Sequence, residues 1–163
     1  KEVPIWLAAG GPKSSQLAAE FADGLMISVK DPEDAYERVI NPAQIKTDEL
    51  GKSQLRVHTY RWTMFAQNDD DAWESLKSWR GLRAPNRLQE IDPQALREQA
   101  DSLPKEEIMS KFSRAGTIDE LVDIYSPLVD DFGSEIVTIQ ISSVDQEETI
   151  KLLGKELLPR LKK

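Results

Sequence analysis

The chain has no cysteine and only one histidine, His58, among its 163 residues. The lack of cysteine excludes disulfide bonds and thiolate metal sites, and it is compatible with a reducing cytoplasm, where we expect the protein to reside. A lone histidine does not make a multi-ligand metal site, so no metal is predicted. We expect His58 to be a hydrogen-bonded residue of a strand.

Long apolar runs and an excess of positive charge are also lacking. The apolar runs are far too short to cross a bilayer, and the sequence opens without a secretory signal, so no membrane partner is predicted. Lysine and arginine number 21 against 29 aspartates and glutamates, which gives a net charge of −8. This balance argues against nucleic-acid binding, which needs a basic face, but it leaves room for a local basic pocket.

The sequence alternates strand and helix patterns. Segments rich in apolar and β-branched residues span 4–9, 23–29, 54–66 and 135–141, and helical periodicities lie between them. Such alternation predicts an α/β fold with four parallel strands, here in a single domain over 1–163. Residues 81–112 are too long for a plain crossover and predict a helical insertion before the last strand, on the substrate side.

Residues typical of helix starts precede most of the helical patterns. A capping side chain accepts a hydrogen bond from the first turn of its helix, and serine, threonine, asparagine and aspartate do this best. Glu120 completes a capping box with the threonine that starts its helix. The predicted caps are Ser14 or Ser15, Asp31, Asn68, Thr117 and Asp145.

The first predicted strand runs into a turn of very small residues, Ala8, Ala9, Gly10 and Gly11, followed by Pro12. Such a turn lets a ligand approach the backbone closely, with amide N–H groups free to face an anion. The alternative is a tight turn that needs small residues only for packing. From the residues alone, both interpretations stay open.

Several short motifs follow one another in a characteristic order along the whole chain. They are Ala8–Pro12, Ala22–Gly24, Ile91–Pro93, Ala100–Pro104, Glu107–Ile108 and Leu158–Leu161. With these motifs the chain resembles the carboxyl-terminal half of the luciferase-like flavin and deazaflavin oxidoreductases, which are (βα)8 TIM barrels. Within that family it is most similar to the coenzyme F420-dependent glucose-6-phosphate dehydrogenases.

The resemblance implies a cofactor and a substrate pocket. Coenzyme F420, or alternatively FMN, would contact the turn Ala8–Pro12. Basic residues at Lys30, Arg87 and Lys111 would bind a substrate phosphate, although three solvated surface charges are the simpler interpretation. Arg83 and Arg114 are possible substitutes for these three residues.

The resemblance also implies an activity and partners. The complete enzyme would transfer a hydride between F420 and an alcohol or sugar phosphate. Proton-transfer residues would belong to an amino-terminal half that this sequence does not contain, so no catalytic residue is assigned. Alternatives are an F420-dependent secondary alcohol dehydrogenase, a methylenetetrahydromethanopterin reductase, or a non-catalytic half-barrel that binds a flavin or a partner protein.

A half-barrel predicts a testable state of association. The chain begins with Lys1 rather than methionine, almost directly on a strand, so we expect a fragment or a processed chain. Its open sheet edges and uncovered inner face would then be closed by the missing half or by self-association, with a homodimer expected in the complete enzyme. Light scattering on this chain alone should show dimers or larger species, whereas a well-behaved monomer would contradict the half-barrel.

Overall fold

The computed structural model describes residues 3–161, which form two compact units. Unit 1 comprises the residues up to Arg61 together with Val122–Gln140. Unit 2 comprises Trp62–Leu121 together with the residues from Ile141 onward. Both units combine strands with helices, as the alternating sequence pattern predicts.

Parallel pairing connects the strands of unit 1. β1 (Trp6–Ala8) pairs with β2 (Gly24–Ser28), and β2 pairs with the first part of β3 (Arg56–Phe65), both in parallel. The last strand (Ile136–Ser142), named β5 because a short β4 precedes it, pairs with β3. The predicted parallel α/β arrangement is therefore confirmed, and all four predicted strands are present.

One face of these strands is apolar and buried. Leu25 lies beside Val57 and Ile27 lies beside Thr59 in the parallel register, and none of the four is more than 8% exposed. Because side chains alternate along a strand, residues on either side of them project from the opposite face. The buried face forms the core of unit 1.

The opposite face carries larger and more polar side chains that stay partly exposed. The register aligns Trp6 with Gly24 and Arg56 in one row, and aligns Met26 with His58 in the next. A Cβ atom at Gly24 would lie 2.4 Å from the Trp6 ring, so this glycine makes room for the indole. We call this surface the inner face.

Helix α1 begins earlier than predicted. Its cap is Gly11, and Pro12 occupies the first helical position. The predicted caps Ser14 and Ser15 lie inside the helix, where their hydroxyls donate to the carbonyls of Gly11 and Pro12 at 3.0 and 2.9 Å. The prediction of a serine cap is wrong because proline is preorganised for the first helical position and sets the start of the helix.

The other predicted helix starts are confirmed. Each capping side chain accepts a hydrogen bond from the N–H three residues further on, at 2.9 to 3.2 Å. The caps are Asp31, Asn68, Thr117 and Asp145. The helices of unit 1 are α1 (Pro12–Phe21), α2 (Pro32–Ala35), a π-helical segment (Tyr36–Ile40), α3 (Asn41–Glu49) and most of α7 (Ile118–Asp130).

Unit 2 contains a strand that the sequence pattern does not predict. The end of β3 pairs in parallel with β4 (Ser113–Ala115), which is too short to produce a recognisable periodicity. The two short helices predicted within 81–112 are present as α5 and α6. The helical elements of unit 2 are α4 (Asp69–Ser75), a 3₁₀ turn (Arg80–Arg83), α5 (Pro93–Asp101), α6 (Lys105–Met109), α8 (Gln146–Leu152), a π-helical segment (Leu153–Leu157) and α9 (Leu158–Leu161).

A separate apolar core holds unit 2 together. Partly buried indoles, including Trp62 and Trp73, pack against it. The core consists of Met64, Ala66, Ala72, Leu76, Ala84, Ala100, Ile108 and Phe112. In the range 3–161, no helix is both long and apolar enough to span a membrane.

The contact between Gly24 and Trp6 predicts a steric effect on stability. Gly24→Ala should lower the free energy of unfolding by about 1–3 kcal/mol, since overpacking forces the indole to move. Adding Trp6→Ala should restore part of the loss, because the two residues are in contact. Urea unfolding at matched protein concentrations measures both effects.

Gly154→Ala is the matched control for Gly24→Ala. Its Cβ atom would meet open space within a helical segment, so we expect no loss and a gain of up to about 1 kcal/mol. Equal stability of the Gly24→Ala and wild-type chains would contradict the steric role of Gly24.

Candidate functional site

The small-residue turn joins β1 to α1 at the carboxyl end of a parallel strand. Ala8 ends β1 and is exposed, whereas Ala9 is buried and its N–H donates to the Met26 carbonyl at 3.0 Å. Gly10 is exposed, and Gly11 has an extended backbone. The carboxyl ends of parallel strands, directly before a helix, are where α/β proteins place ligands.

The fold itself does not require glycine at positions 10 and 11. A Cβ atom at either position would meet open space. Within the part of the chain that the structure describes, only Gly51 and Gly133 have a positive φ. Packing and backbone conformation therefore do not explain the two glycines, which favours the interpretation that a ligand approaches the turn.

A cleft of about 180 Å³ opens beside the turn. Ala9, Gly10 and Ser28 line it together with Lys30, so the structure brings one of the predicted phosphate-binding residues next to the predicted cofactor turn. Acidic and basic side chains from the start of the next helix complete the lining. They are Asp31, Asp34 and Arg38, of which Arg38 and Asp34 form an exposed ion pair at 3.4 Å.

An open groove of about 370 Å³ follows the inner face below Ala8. His58 Nε2 lies 2.8 Å from Thr138 Oγ1, and the imidazole meets the Trp6 ring edge-on at 6.1 Å between centroids. His58 is thus the hydrogen-bonded strand residue that the sequence predicts. The groove is lined by Ala8, Met26, His58, Tyr60, Thr138 and Gln140.

The other end of the inner face is closed by an ion pair. The Arg56 guanidinium donates to both carboxylate oxygens of Glu135 at 2.5 Å and lies 5.0 Å from the centre of the Trp6 ring. The hydrogen bond from Arg56 lowers the pKa of Glu135, and the same bond raises the pKa of Arg56. Because this pair sits at the amino end of β3, away from the turn, its role is structural.

The other two predicted phosphate-binding residues, Arg87 and Lys111, lie in unit 2. Lys111 is half-buried and donates to the Arg83 carbonyl at 3.3 Å, with the Glu107 carboxylate at 3.5 Å. Arg87 is exposed. The pKa of Arg83 is lowered mainly by burial and further by the positive charge of Arg87. Arg83 is thus contacted by Lys111 at its carbonyl and is influenced electrostatically by Arg87.

The two arginines predicted as substitute phosphate-binding residues, Arg83 and Arg114, have different surroundings in the structure. Arg114 is already engaged, since it donates to the Asp69 carboxylate and to the Ala66 carbonyl at 3.2 Å. Among residues 3–161, Arg83 has no carboxylate partner. Sequence spacing does not distinguish two arginines in this way, because the distinction depends on which carboxylate folds beside each of them.

No metal centre accompanies these sites. Across residues 3–161, no group of three or more histidine, aspartate or glutamate side chains is placed to hold a metal ion. Unit 1 thus carries a bare backbone turn, a cleft with Lys30 and an inner-face groove, and unit 2, described by itself, carries a basic cluster.

Parallel strands that alternate with helices, with a bare turn at the carboxyl end of β1, are features of an α/β barrel-type fold. A family model described as luciferase-like monooxygenase matches residues 1–130, and the chain belongs to this family. The chain spans about half the length of the curated relatives and solved structures that it matches. The predicted carboxyl-terminal half of a (βα)8 barrel is thereby confirmed.

The relatives are F420-dependent oxidoreductases. The chain is 29% identical to an F420-dependent glucose-6-phosphate dehydrogenase of Microbacterium testaceum, over 100% of the chain and 50% of the relative. It is 25% identical to a 5,10-methylenetetrahydromethanopterin reductase of Methanopyrus kandleri, over 99% and 51%. The solved structure of an F420-dependent secondary alcohol dehydrogenase in complex with an F420-acetone adduct has the same fold, with a TM-score of 0.81. The two sequences are 23% identical, and the match covers 100% of this chain and 50% of that protein.

The open space around the turn predicts that its glycines are dispensable for folding. Gly10→Val should change the free energy of unfolding by less than about 0.5 kcal/mol, as surface substitutions usually do. Gly133→Val is the contrasting variant, because its φ of 59° is left-handed and a side chain there costs about 1–2 kcal/mol. Thermal unfolding compares the two, and a large loss for Gly10→Val would restore the packing interpretation.

Proposed function

We propose that this chain is the carboxyl-terminal half of an F420-dependent oxidoreductase that transfers a hydride between the deazaflavin and an alcohol or sugar-phosphate carbon. The observation that supports this most directly is the turn at Gly10 and Gly11. It is free of side chains although the fold does not require it, and it lies at the carboxyl end of β1 in a family whose relatives use F420.

The turn fits a flat cofactor ring. The Cβ positions of Gly10 and Gly11 are open, so a planar ring can lie against the backbone, and Ala8 adds only a methyl group where the groove begins. When bound, F420 supplies the hydride chemistry at C5. The turn Ala8–Pro12 would hold the ring, and the inner-face groove would receive the part of the ligand that extends past Ala8.

A substrate phosphate is proposed to bind the basic residues. The family resemblance assigns Lys30 of unit 1 and Arg87 and Lys111 of unit 2 to this role. Guanidinium and ammonium groups bind phosphate by charge-assisted hydrogen bonds, and they orient the substrate so that the reacting carbon faces the cofactor. Proton transfer is assigned to residues of the proposed amino-terminal half, which would also close the barrel, in a cytoplasmic homodimer.

A plain alcohol is the second candidate substrate. It is favoured by the structural match to the secondary alcohol dehydrogenase, with a TM-score of 0.81. A plain alcohol needs no basic pocket, so charge-removing variants distinguish the two candidates. Two further alternatives are that the cofactor is a flavin rather than F420, and that the chain is a non-catalytic half-barrel. Cofactor titration distinguishes them.

Spectroscopic titration with F420 and with FMN tests the cofactor. It should be carried out on this chain and on the complete protein that carries the proposed amino-terminal half. We expect the complete protein to bind F420 in preference to FMN, and Gly10→Val to weaken F420 binding at least about tenfold, since the valine occupies the space of the ring. Lys13→Ala, an exposed change one residue beyond Pro12, serves as the control and should bind normally.

The outcomes separate the alternatives clearly. Binding of FMN alone would replace F420 as the cofactor, and binding of neither would favour the non-catalytic half-barrel. Unchanged F420 binding by Gly10→Val would remove the turn from the cofactor site.

A further inference from the structure

A small cavity lies within unit 1, on the side of the sheet away from the inner face. Its volume is about 110 Å³. Leu25 and Val57 line it from neighbouring strands, and Ala43 and Thr47 line it from helix α3. Because side chains alternate along a strand, these strand residues project away from the inner-face groove. The cavity is therefore separate from the turn Ala8–Pro12 and from the groove that the proposed function uses.

The cavity combines a buried apolar lining with uncharged polar groups. Gln44 and Gln54 add their amide groups, and the exposure of Gln54 gives the cavity access to solvent. Among the described residues that line it, none is charged, although 31% of the chain is charged. An ion would lose its hydration there without gaining a countercharge, so the cavity favours a neutral ligand. The buried apolar lining, at most 8% exposed, consists of Leu25, Ile40, Ala43, Val57 and Phe132.

A wider turn of the helix forms one wall of the cavity. Residues Tyr36–Ile40 are π-helical, and the N–H of Asn41 donates to the Tyr36 carbonyl, five residues back. Pro42 follows directly, and because proline has no N–H and clashes with the carbonyl four residues before it, a regular α-helix is interrupted here. Ile40, at the end of the wider turn, lines the cavity. Such π-helical turns inside longer helices are frequently found at functional sites.

Tyr36 holds two of the lining side chains in place. Its hydroxyl donates to Gln44 Oε1 at 3.5 Å, and its ring lies 6.2 Å from the Phe132 ring between centroids. The oxygen of the Gln44 amide is thus engaged, and its NH₂ group is the part that can donate to a ligand. The cavity therefore offers one hydrogen-bond donor next to an apolar interior.

The volume sets the size of the ligand. An apolar cavity of about 150 Å³ holds one benzene molecule, so a volume of about 110 Å³ has room for about four or five non-hydrogen atoms. A hydrocarbon of this size would leave the Gln44 amide unpaired, and a carboxylate would bring a charge into an uncharged cavity. A short-chain alcohol satisfies the conditions of size, neutrality and a single polar group together.

We propose that this cavity is a binding site for a small neutral amphiphile, a short-chain alcohol, whose hydrocarbon chain packs against Leu25 and Val57 and whose hydroxyl accepts a hydrogen bond from Gln44. The proposal goes beyond the proposed function, because the site lies on the other face of the sheet from the turn and needs no cofactor. An alcohol that binds only the folded chain also stabilises it.

Chemical-shift titration with 1-butanol tests the site on this chain, because all the lining residues belong to unit 1. We expect saturable shifts of the amides of Leu25, Ala43 and Val57, with half-saturation at about 1–10 mM, because so few atoms supply little binding energy. Butyrate has the same chain length and carries a charge, so it should produce no saturable shift at these amides. Shifts that do not saturate, or equal binding of butyrate, would overturn the proposal.

Ala43→Leu removes the space that the alcohol occupies. The larger side chain fills part of the cavity, so it should weaken 1-butanol binding at least about tenfold. Ala95→Leu is the matched control, since Ala95 lies in α5 of unit 2 and is not among the lining residues, and it should bind as the wild type does. The amide spectrum verifies that each variant is folded. Undiminished binding by a folded Ala43→Leu chain, or equal losses in both variants, would contradict the cavity site.

Gln44→Leu tests the hydroxyl contact without filling the cavity. It keeps the approximate size of the side chain and removes the amide, so it should weaken 1-butanol binding several-fold and leave the binding of xenon, which makes no hydrogen bond, unchanged. An equal loss for both ligands, or for neither, would overturn the role of Gln44. Binding of xenon but not of 1-butanol by the wild type would identify an apolar void and overturn the proposal.

The same resonances separate this site from the proposed substrate site, for which a plain alcohol is the second candidate. Shifts confined to His58 and Tyr60 would assign the alcohol to the inner-face groove and overturn the cavity site. Saturable shifts at Leu25 and Val57, in a complete protein that does not bind F420, would keep the cavity site and overturn the oxidoreductase.

Discussion

The parallel register of the first three strands is the constraint on which unit 1 depends. It aligns Trp6, Gly24 and Arg56 in one row across the strands. It aligns Ala8, Met26 and His58 in the next row on the same face. A slip of one residue would exchange the two faces of a strand, burying Arg56 and His58 and exposing the apolar core. The absence of a side chain at Gly24 belongs to this constraint, because only that position leaves room for the indole of Trp6.

The two faces of the sheet then take different roles. Leu25, Ile27 and Val57 are at most 8% exposed on the buried side, so that side holds unit 1 together. On the inner face, His58 and Tyr60 are large and polar enough to meet a ligand or water, and the groove between them is open. The ion pair of Arg56 with Glu135 occupies the amino end of this face, which leaves the carboxyl end, with its bare turn, as the proposed cofactor site.

The sequence predicted what depends on short-range patterns. Strands with a clear run of β-forming residues and helices with a capping side chain, such as Asp31 and Asn68, have the predicted positions. The start of α1 was missed because Pro12 competes with the serines after it, and β4 was missed because three residues carry no period. The position of the turn at the end of β1 could be predicted from the strand pattern. The open space around Gly10 and Gly11 could not, because it depends on residues far away in the sequence.

The basic cluster shows what spacing alone does not determine. Motif spacing identified Arg87 and Lys111, yet it contains no information on which cations are already engaged by the fold. Lys111 turns out to contact the backbone of Arg83 and the carboxylate of Glu107, so part of its capacity is used within the chain. Such pairing depends on contacts between segments far apart in sequence.

Arg80 and Arg83 make this argument concrete, because they occupy the two ends of one 3₁₀ turn. Each lies over an aromatic ring, Arg80 over Trp73 at 4.4 Å and Arg83 over Phe112 at 4.9 Å. Arg80 is also held by the Asp101 carboxylate, so its charge is balanced inside the fold and its role is structural. Arg83 has the same kind of ring contact but, within residues 3–161, no carboxylate partner. Because its side chain is only half-buried, water solvates its charge, so two arginines of one short turn are balanced in different ways by contacts that sequence spacing does not contain.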